Sequence, residues 1–129
     1  MLVTVEWDDN THRIMLIRYR KGWTWADHTR ARVDIDAMAA SVPHVVDVIA
    51  DVDGANQLPP GAALNQMTAA LHAAPVNIGM IVVVGSSLIM RAVLQMVKTV
   101  TFNQVVSNIH FAKQVADART FIQKQRSAV

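Results

Sequence analysis

The chain contains no cysteine. That absence excludes a disulfide framework, thiolate metal ligands and a cysteine nucleophile. Charge is scarce as well. Asp, Glu, Lys and Arg make up 17% of the 129 residues and apolar types 52%, against about 25% charged in an ordinary soluble domain. Such a balance describes a globular chain with a large core, not a disordered one. No apolar run reaches the roughly 20 residues that a bilayer span needs; the most apolar, Ile78 to Gly85, is far shorter. The first ten residues, MLVTVEWDDN, are acidic and lack the basic-then-apolar pattern of a signal peptide. The expectation is a soluble, cytoplasmic protein with no transmembrane segment. Net charge is only +2, a weak basis for nucleic-acid binding, so no nucleic-acid partner is expected. Charge is also unevenly placed. From Gly54 to Met90 there is no Asp, Glu, Lys or Arg. Either that stretch is deeply packed or one of its faces meets a partner.

The length suits a single domain spanning residues 1–129. Leu2 to Trp7 alternates apolar and polar residues, as a half-buried strand does. Asp8-Asp9-Asn10 is turn chemistry. A second strand, His12 to Tyr19, puts Ile14 and Leu16 on one face and Met15, Ile17 and Tyr19 on the other. The short link makes the pair an antiparallel hairpin, broken by Lys21-Gly22. Thr24 and Asp27 then form a capping-box pattern, and a helix runs to about Ala40 with Ala31, Ile35, Met38 and Val42 as its apolar stripe. Arg30 and Asp34 are spaced as an i,i+4 pair. Beyond Pro43 the expected elements are a strand from His44 to Val52, a helix from Ala62 to Ala74, and a strand from Ile78 to Val84. A helix from Leu88 to about Val100, a strand from Gln104 to Ile109 and a helix from Ala112 to about Gln125 follow. The last helix takes Phe111, Val115, Ala118 and Ile122 as its stripe. Strands alternating with helices imply parallel pairing through right-handed crossovers. The fold class read from this order, β-β-α-β-α-β-α-β-α, is α/β: a mixed, mostly parallel five-stranded sheet with helices mainly on one face.

In an open α/β sheet, ligands bind outside the carboxyl ends of the strands. That rule selects the loop from Asp51 to Gly61, with Asp51, Asp53, Asn56, Pro59 and Gly61, and the turn Gly85-Ser86-Ser87. The adjacent helix adds Leu64 and Met67 as partner-binding candidates. Gly85-Ser86-Ser87 opens a helix and could hold an anion on free backbone N–H groups, but Ser86 acting as a simple helix cap explains the same residues. The turn lacks the length and the lysine of a phosphate-binding loop, so nucleotide hydrolysis is not supported. Asp51 and Asp53, like Asp8 and Asp9, read best as solvated turn carboxylates. A phospho-receiver site would need an acid pair after a strand that leads into a helix, and Asp8-Asp9 lies in a hairpin. The histidines, at 12, 28, 44, 72 and 110, include no i,i+3 or i,i+4 pair, so no metal site and no cofactor are expected. No serine sits on a nucleophile-elbow motif, and no catalytic residue is assigned. Trp23 and Trp25 could form a binding platform; more often one tryptophan in such a pair pins the helix start to the core. Met67, Met80, Met90 and Met96 could line an adaptable pocket or oligomer face, or fill the core.

Taken in order, several segments resemble the SpoIIAA-like branch of the STAS family. They are the hairpin before Gly22-Trp23-Thr24-Trp25, the strand Val46-Asp47-Val48-Ile49-Ala50-Asp51, and the loop Pro59-Pro60-Gly61. The strand-turn Ile81-Val82-Val83-Val84-Gly85-Ser86-Ser87 and the helix segment Ala116-Asp117-Ala118-Arg119 complete the set. The resemblance covers essentially the whole chain and implies a STAS fold. In that family's anti-sigma-factor antagonists, a serine at the start of the second helix is phosphorylated. The corresponding segment here, Gln57 to Ala62, has no Ser or Thr, so that switch does not carry over. Other relatives bind lipids, nucleotides or transporter partners. The expectation is a non-catalytic regulatory or interaction domain that binds a protein partner or itself, as a homodimer, through the Asp51–Gly61 loop and the helix after it. The alternative is a domain for a small hydrophobic or anionic ligand, lipid or nucleotide, held between the two strand-end loops.

Overall fold

The computed structural model describes residues 2–55, 59, 63–100 and 108–127, apart from the side chains at 63, 64, 99 and 100. Five strands form one sheet in the order β1-β2-β3-β4-β5. They are β1 (Val3–Trp7), β2 (Ile14–Tyr19), β3 (Val46–Asp51), β4 (Ile78–Val84) and β5 (Ile109–Ala112). β1 and β2 pair antiparallel, with Val5 opposite Ile17, and every later pair is parallel. The helices are α1 (Trp25–Ala40), α2 (Ala63–His72), α3 (Leu88–Val100) and α4 (Val115–Ser127). The α/β class, the mixed sheet and the element order are therefore as the sequence led one to expect.

Local chemistry starts each element. Gly22, at φ +86°, ends the turn after β2, which closes with Trp23 N–H donating to Arg20 C=O at 3.1 Å. Thr24 caps α1. Its hydroxyl accepts from Asp27 N–H at 3.2 Å and its own N–H donates to the Asp27 carboxylate at 2.9 Å, which completes the capping box. Arg30 does not reach Asp34. It pairs with Asp27, one turn toward the N-terminus. α3 begins at Leu88, so the cap is Ser87, whose Oγ accepts from Met90 N–H at 3.2 Å.

The last strand lies further along the chain than the periodicity indicated. Residues 104–107 fall outside the described residues, and β5 is Ile109–Ala112. Phe111, assigned above to the final helix, belongs to this strand, and so does Ala112. Ile109 and Phe111 pack toward α3, while Ala112 packs toward α4. That alternation identifies a strand, but four residues are too few to tell it from a helix start by pattern alone.

The two faces of the sheet are covered unequally. Met15, Ile17, Val46, Val48, Val52 and Val83 lie on one face under α1, α2 and α3. Leu16, Ile49, Met80, Val82 and Val84 lie on the other, where among the described residues α4 covers them with Ala118 and Ile122. So the helices do pack mainly on one face. α4 has a narrow apolar stripe, and two arginines anchor it. Arg119 Nε and Nη2 donate to Asp8, at 2.9 and 2.7 Å to its two oxygens. Asp8 is thus a paired, largely buried carboxylate, not the solvated turn residue expected from its position. Arg126 Nε donates to Asp47 at 2.9 Å, and Met80 N–H donates to the same carboxylate at 2.9 Å. Asp47, at 3% exposure, is the buried charged residue of the described core. Gly79 makes room for this pair, because a Cβ there would stand 2.6 Å from Asp47 Oδ1.

Removing Arg126 would leave the Asp47 carboxylate buried without its counter-charge. Arg126→Met is expected to cost about 2–3 kcal/mol in urea denaturation. Asp47→Leu combined with Arg126→Met should recover most of that loss, because the buried charge is then gone. Gly79→Ala should lower stability with both partners still in place.

Candidate functional site

The strand-end loops are close together. Gly85, at φ +72°, lies so near Asp53 that a Cβ on it would stand 2.5 Å from the Asp53 Cβ. Asp51 Oδ1 accepts from Asp53 N–H at 3.1 Å, a local turn in which the carboxylate satisfies its own backbone. Ser87 is committed to the helix cap, and Ser86 is partly buried beside it. Pro59 is buried. Asn56, Gly61 and the side chain of Leu64 lie outside the described residues. The structure therefore brings Asp53 and Gly85 into contact.

Open space lies elsewhere, between the three-helix face of the sheet and the inner sides of α1, α2 and α3. A cavity of about 160 Å³ is floored by Val48, Ala50, Val52, Ile81 and Val83 and roofed by Met67, Ala70, Leu71, Met90 and Leu94. Met67, proposed from sequence as a partner-binding side chain, is thus part of the cavity wall, and so is Met90. Met80 fills the core under α4, and Met96 faces outward. An enclosed apolar cavity of about 150 Å³ admits benzene-sized guests, and this one is of similar volume but partly open to solvent. The volume and lining suit one ring or a short branched chain.

One side of the cavity is different. Trp23, Trp25, Tyr19, His28 and Arg32 gather there. Trp23, at 6% exposure, packs edge-on against Tyr19 at 4.8 Å and against Trp25 at 4.9 Å between centroids. Trp23 pins the start of α1 to the core, and both rings also wall the cavity. Neither buried indole N–H has a hydrogen-bond acceptor. The Tyr19 hydroxyl and His28 Nδ1 are 3.0 Å apart. Burial pushes the Tyr19 phenol well above its ordinary value, so it stays protonated and donates. Burial, and secondarily the Arg32 charge, holds His28 below its ordinary value, so it is neutral and accepts. Arg32 donates to Ala73 C=O across the α1–α2 gap and to Asp36 at 3.3 Å on its own helix. It thereby ties the two roof helices together at the cavity edge.

The sequence offered one signal for this corner that spacing alone did not exploit. His28, Arg32 and Ile35 follow i, i+4, i+7, so two polar residues continue the buried stripe of α1. Tyr19 ends β2 on the face shared by Met15 and Ile17. Contact between these residues depends on the crossover from β2 over the sheet, which periodicity does not reveal.

Tyr19 and His28 are hydrogen-bonded to one another, and among the described residues no carboxylate lines the cavity. Among the described residues there is no group of three or more His, Asp or Glu placed to hold a metal ion. Nor is any of their helices long and apolar enough to cross a membrane. Compared with known protein families and with curated proteins, the chain matches none.

The neutral state of His28 gives a pH dependence with a definite sign. A histidine whose folded value is depressed binds fewer protons folded than unfolded, so its contribution is complete above the unfolded value near 6.5 and is lost as pH falls toward the folded value. His110, also lowered by burial and then by Lys98, acts in the same direction. Urea midpoints should therefore fall between pH 7 and pH 5. His28→Phe should flatten that slope, and adding His110→Phe should flatten it further.

Proposed function

We propose that this chain is a non-catalytic, STAS-like binding domain whose ligand is a small apolar molecule of about one ring, held between the sheet and α1–α3. The observation that carries this reading is the cavity of about 160 Å³. The space is partly open to solvent, so a guest would displace water from apolar walls. One larger side chain at Ala50, Ala70 or Ala74 would fill much of it, yet all three positions are alanine. The polar groups are confined to the α1 side, the pattern of a site with an apolar body and a few orienting groups.

The resemblance to STAS domains supports the same conclusion through the order of the elements, an opening hairpin followed by strand–helix alternation to a final helix. It does not supply a phosphorylated serine. The reading of the domain as a partner- or self-binding module through the Asp51–Gly61 loop is the weaker of the two, since Met67 is spent on the cavity wall and Asp51 on a local turn.

Toluene and indole are suitable probes. Either should raise the melting temperature and alter the fluorescence of Trp23 and Trp25. Ala50→Leu should abolish both responses while raising the melting temperature of the free protein, because the new side chain occupies the ligand's place. A wild-type protein that responds to neither probe, or an Ala50→Leu variant that still responds fully, refutes the proposal.

A further inference from the structure

The floor and roof of the cavity suit an apolar body, and its α1 side asks for something else. Among the described residues no acid, amide, serine or threonine lines the space. The polar side chains there are Tyr19, Trp23, Trp25, His28 and Arg32, and their capacity is mostly for donating. Neither buried indole N–H has an acceptor. The Tyr19 hydroxyl is spent on His28 Nδ1 at 3.0 Å. A neutral imidazole that accepts at Nδ1 carries its proton on Nε2, so His28 offers one further N–H, unpartnered among the described residues.

Arg32 is the charge at this corner. It follows His28 by four residues on α1, so the two side chains share a face, and its charge is near enough to act on the His28 ring. Nε donates to Asp36 at 3.3 Å and Nη2 to Ala73 C=O. Nη1 has no partner among the described residues, which leaves part of the guanidinium fork open. Asp36 is half exposed and does not line the cavity, so its long contact with Arg32 is screened by solvent. Ala74 and Pro75, next to the carbonyl that Arg32 holds, do line it. The guanidinium thus stands at the mouth of an apolar space with donors around it and no acid within. One cation among donors matches an acceptor that carries one negative charge. A carboxylate has that charge, and a phosphate monoester carries nearly two.

We propose that the ligand is a small carboxylic acid, bound as its anion, with the carboxylate on Arg32 and the His28 Nε2–H and a one-ring or short branched apolar body over Ala50 and Val83. This rests on the cavity being a ligand site and adds the charge of the guest and the residues that read it.

Benzoate and benzamide have nearly the same shape and differ in charge, and toluene reports on the apolar space alone. Titrations of the full chain at neutral pH, followed by tryptophan fluorescence, test the proposal. The wild type should bind benzoate about tenfold more tightly than benzamide, the share of one charge-assisted hydrogen bond. Arg32→Gln should remove that preference while toluene binds as it does to the wild type. Arg32→Lys, which keeps the charge, should retain most of it. A wild type that takes toluene but binds benzoate no better than benzamide overturns the proposal and leaves the apolar reading of the cavity standing. That comparison needs no variant, so it decides the matter even where Arg32→Gln proves unstable. An equal loss of all three probes in a folded Arg32→Gln also overturns it, because Arg32 would then act only by holding α1 to α2. A wild type that binds none of the three overturns both readings.

Discussion

Every crossover from β2 to β5 steps one strand in the same direction across the sheet, and the rest of the architecture depends on that constraint. A strand–helix–strand connection of one hand that always steps the same way puts every helix on the same face. α2 and α3 therefore pack on one another, their side chains meet the sheet at Val52, Val83 and Ile109, and Arg32 of α1 reaches the Ala73 carbonyl just beyond α2. Twisted sheets and straight helices do not fit without gaps. The residual space collects where three helices meet one floor, and here it is the cavity.

The same constraint leaves the opposite face to α4, which follows the last strand and is free to return. α4 is mostly polar and offers Ala118 and Ile122 as its fully buried side chains. Apolar burial from so narrow a stripe is small, so the helix needs directional contacts. Arg119 holds its N-terminal half to the hairpin at Asp8, and Arg126 holds its C-terminal half to β3 at Asp47. Both pairs join residues distant in sequence. They fix the rotation of α4 about its axis as well as its position, and Gly79 keeps β4 low enough to admit the second pair.

How far the sequence revealed this depended on range. Elements set by local chemistry were legible: the Thr24–Asp27 capping box, the hairpin, and the Ile78–Val84 strand, whose uninterrupted apolar run reflects burial on both faces. β5 was placed too early, because Ile109 to Ala112 is too short for its alternation to stand out. Asp8 looked like an ordinary turn acid, since nothing nearby in sequence points to an arginine 111 positions away. The strand-end rule directed attention to Asp51, Asp53 and the Gly85 turn, and that rule concerns where chains leave a sheet. It does not address the space beneath the helices, which arises from packing and has no motif.

The charge-free stretch from Gly54 to Met90 was the one long-range feature visible at the outset, and two explanations stood open: deep packing or a partner face. Packing accounts for β4 and for the inner sides of α2 and α3. It does not account for Leu88 and Ile89, which lie at the end of that stretch and face solvent. The low charge of this segment is therefore a consequence of packing over most of its length, and Leu88 and Ile89 are the part of it that packing leaves in solvent.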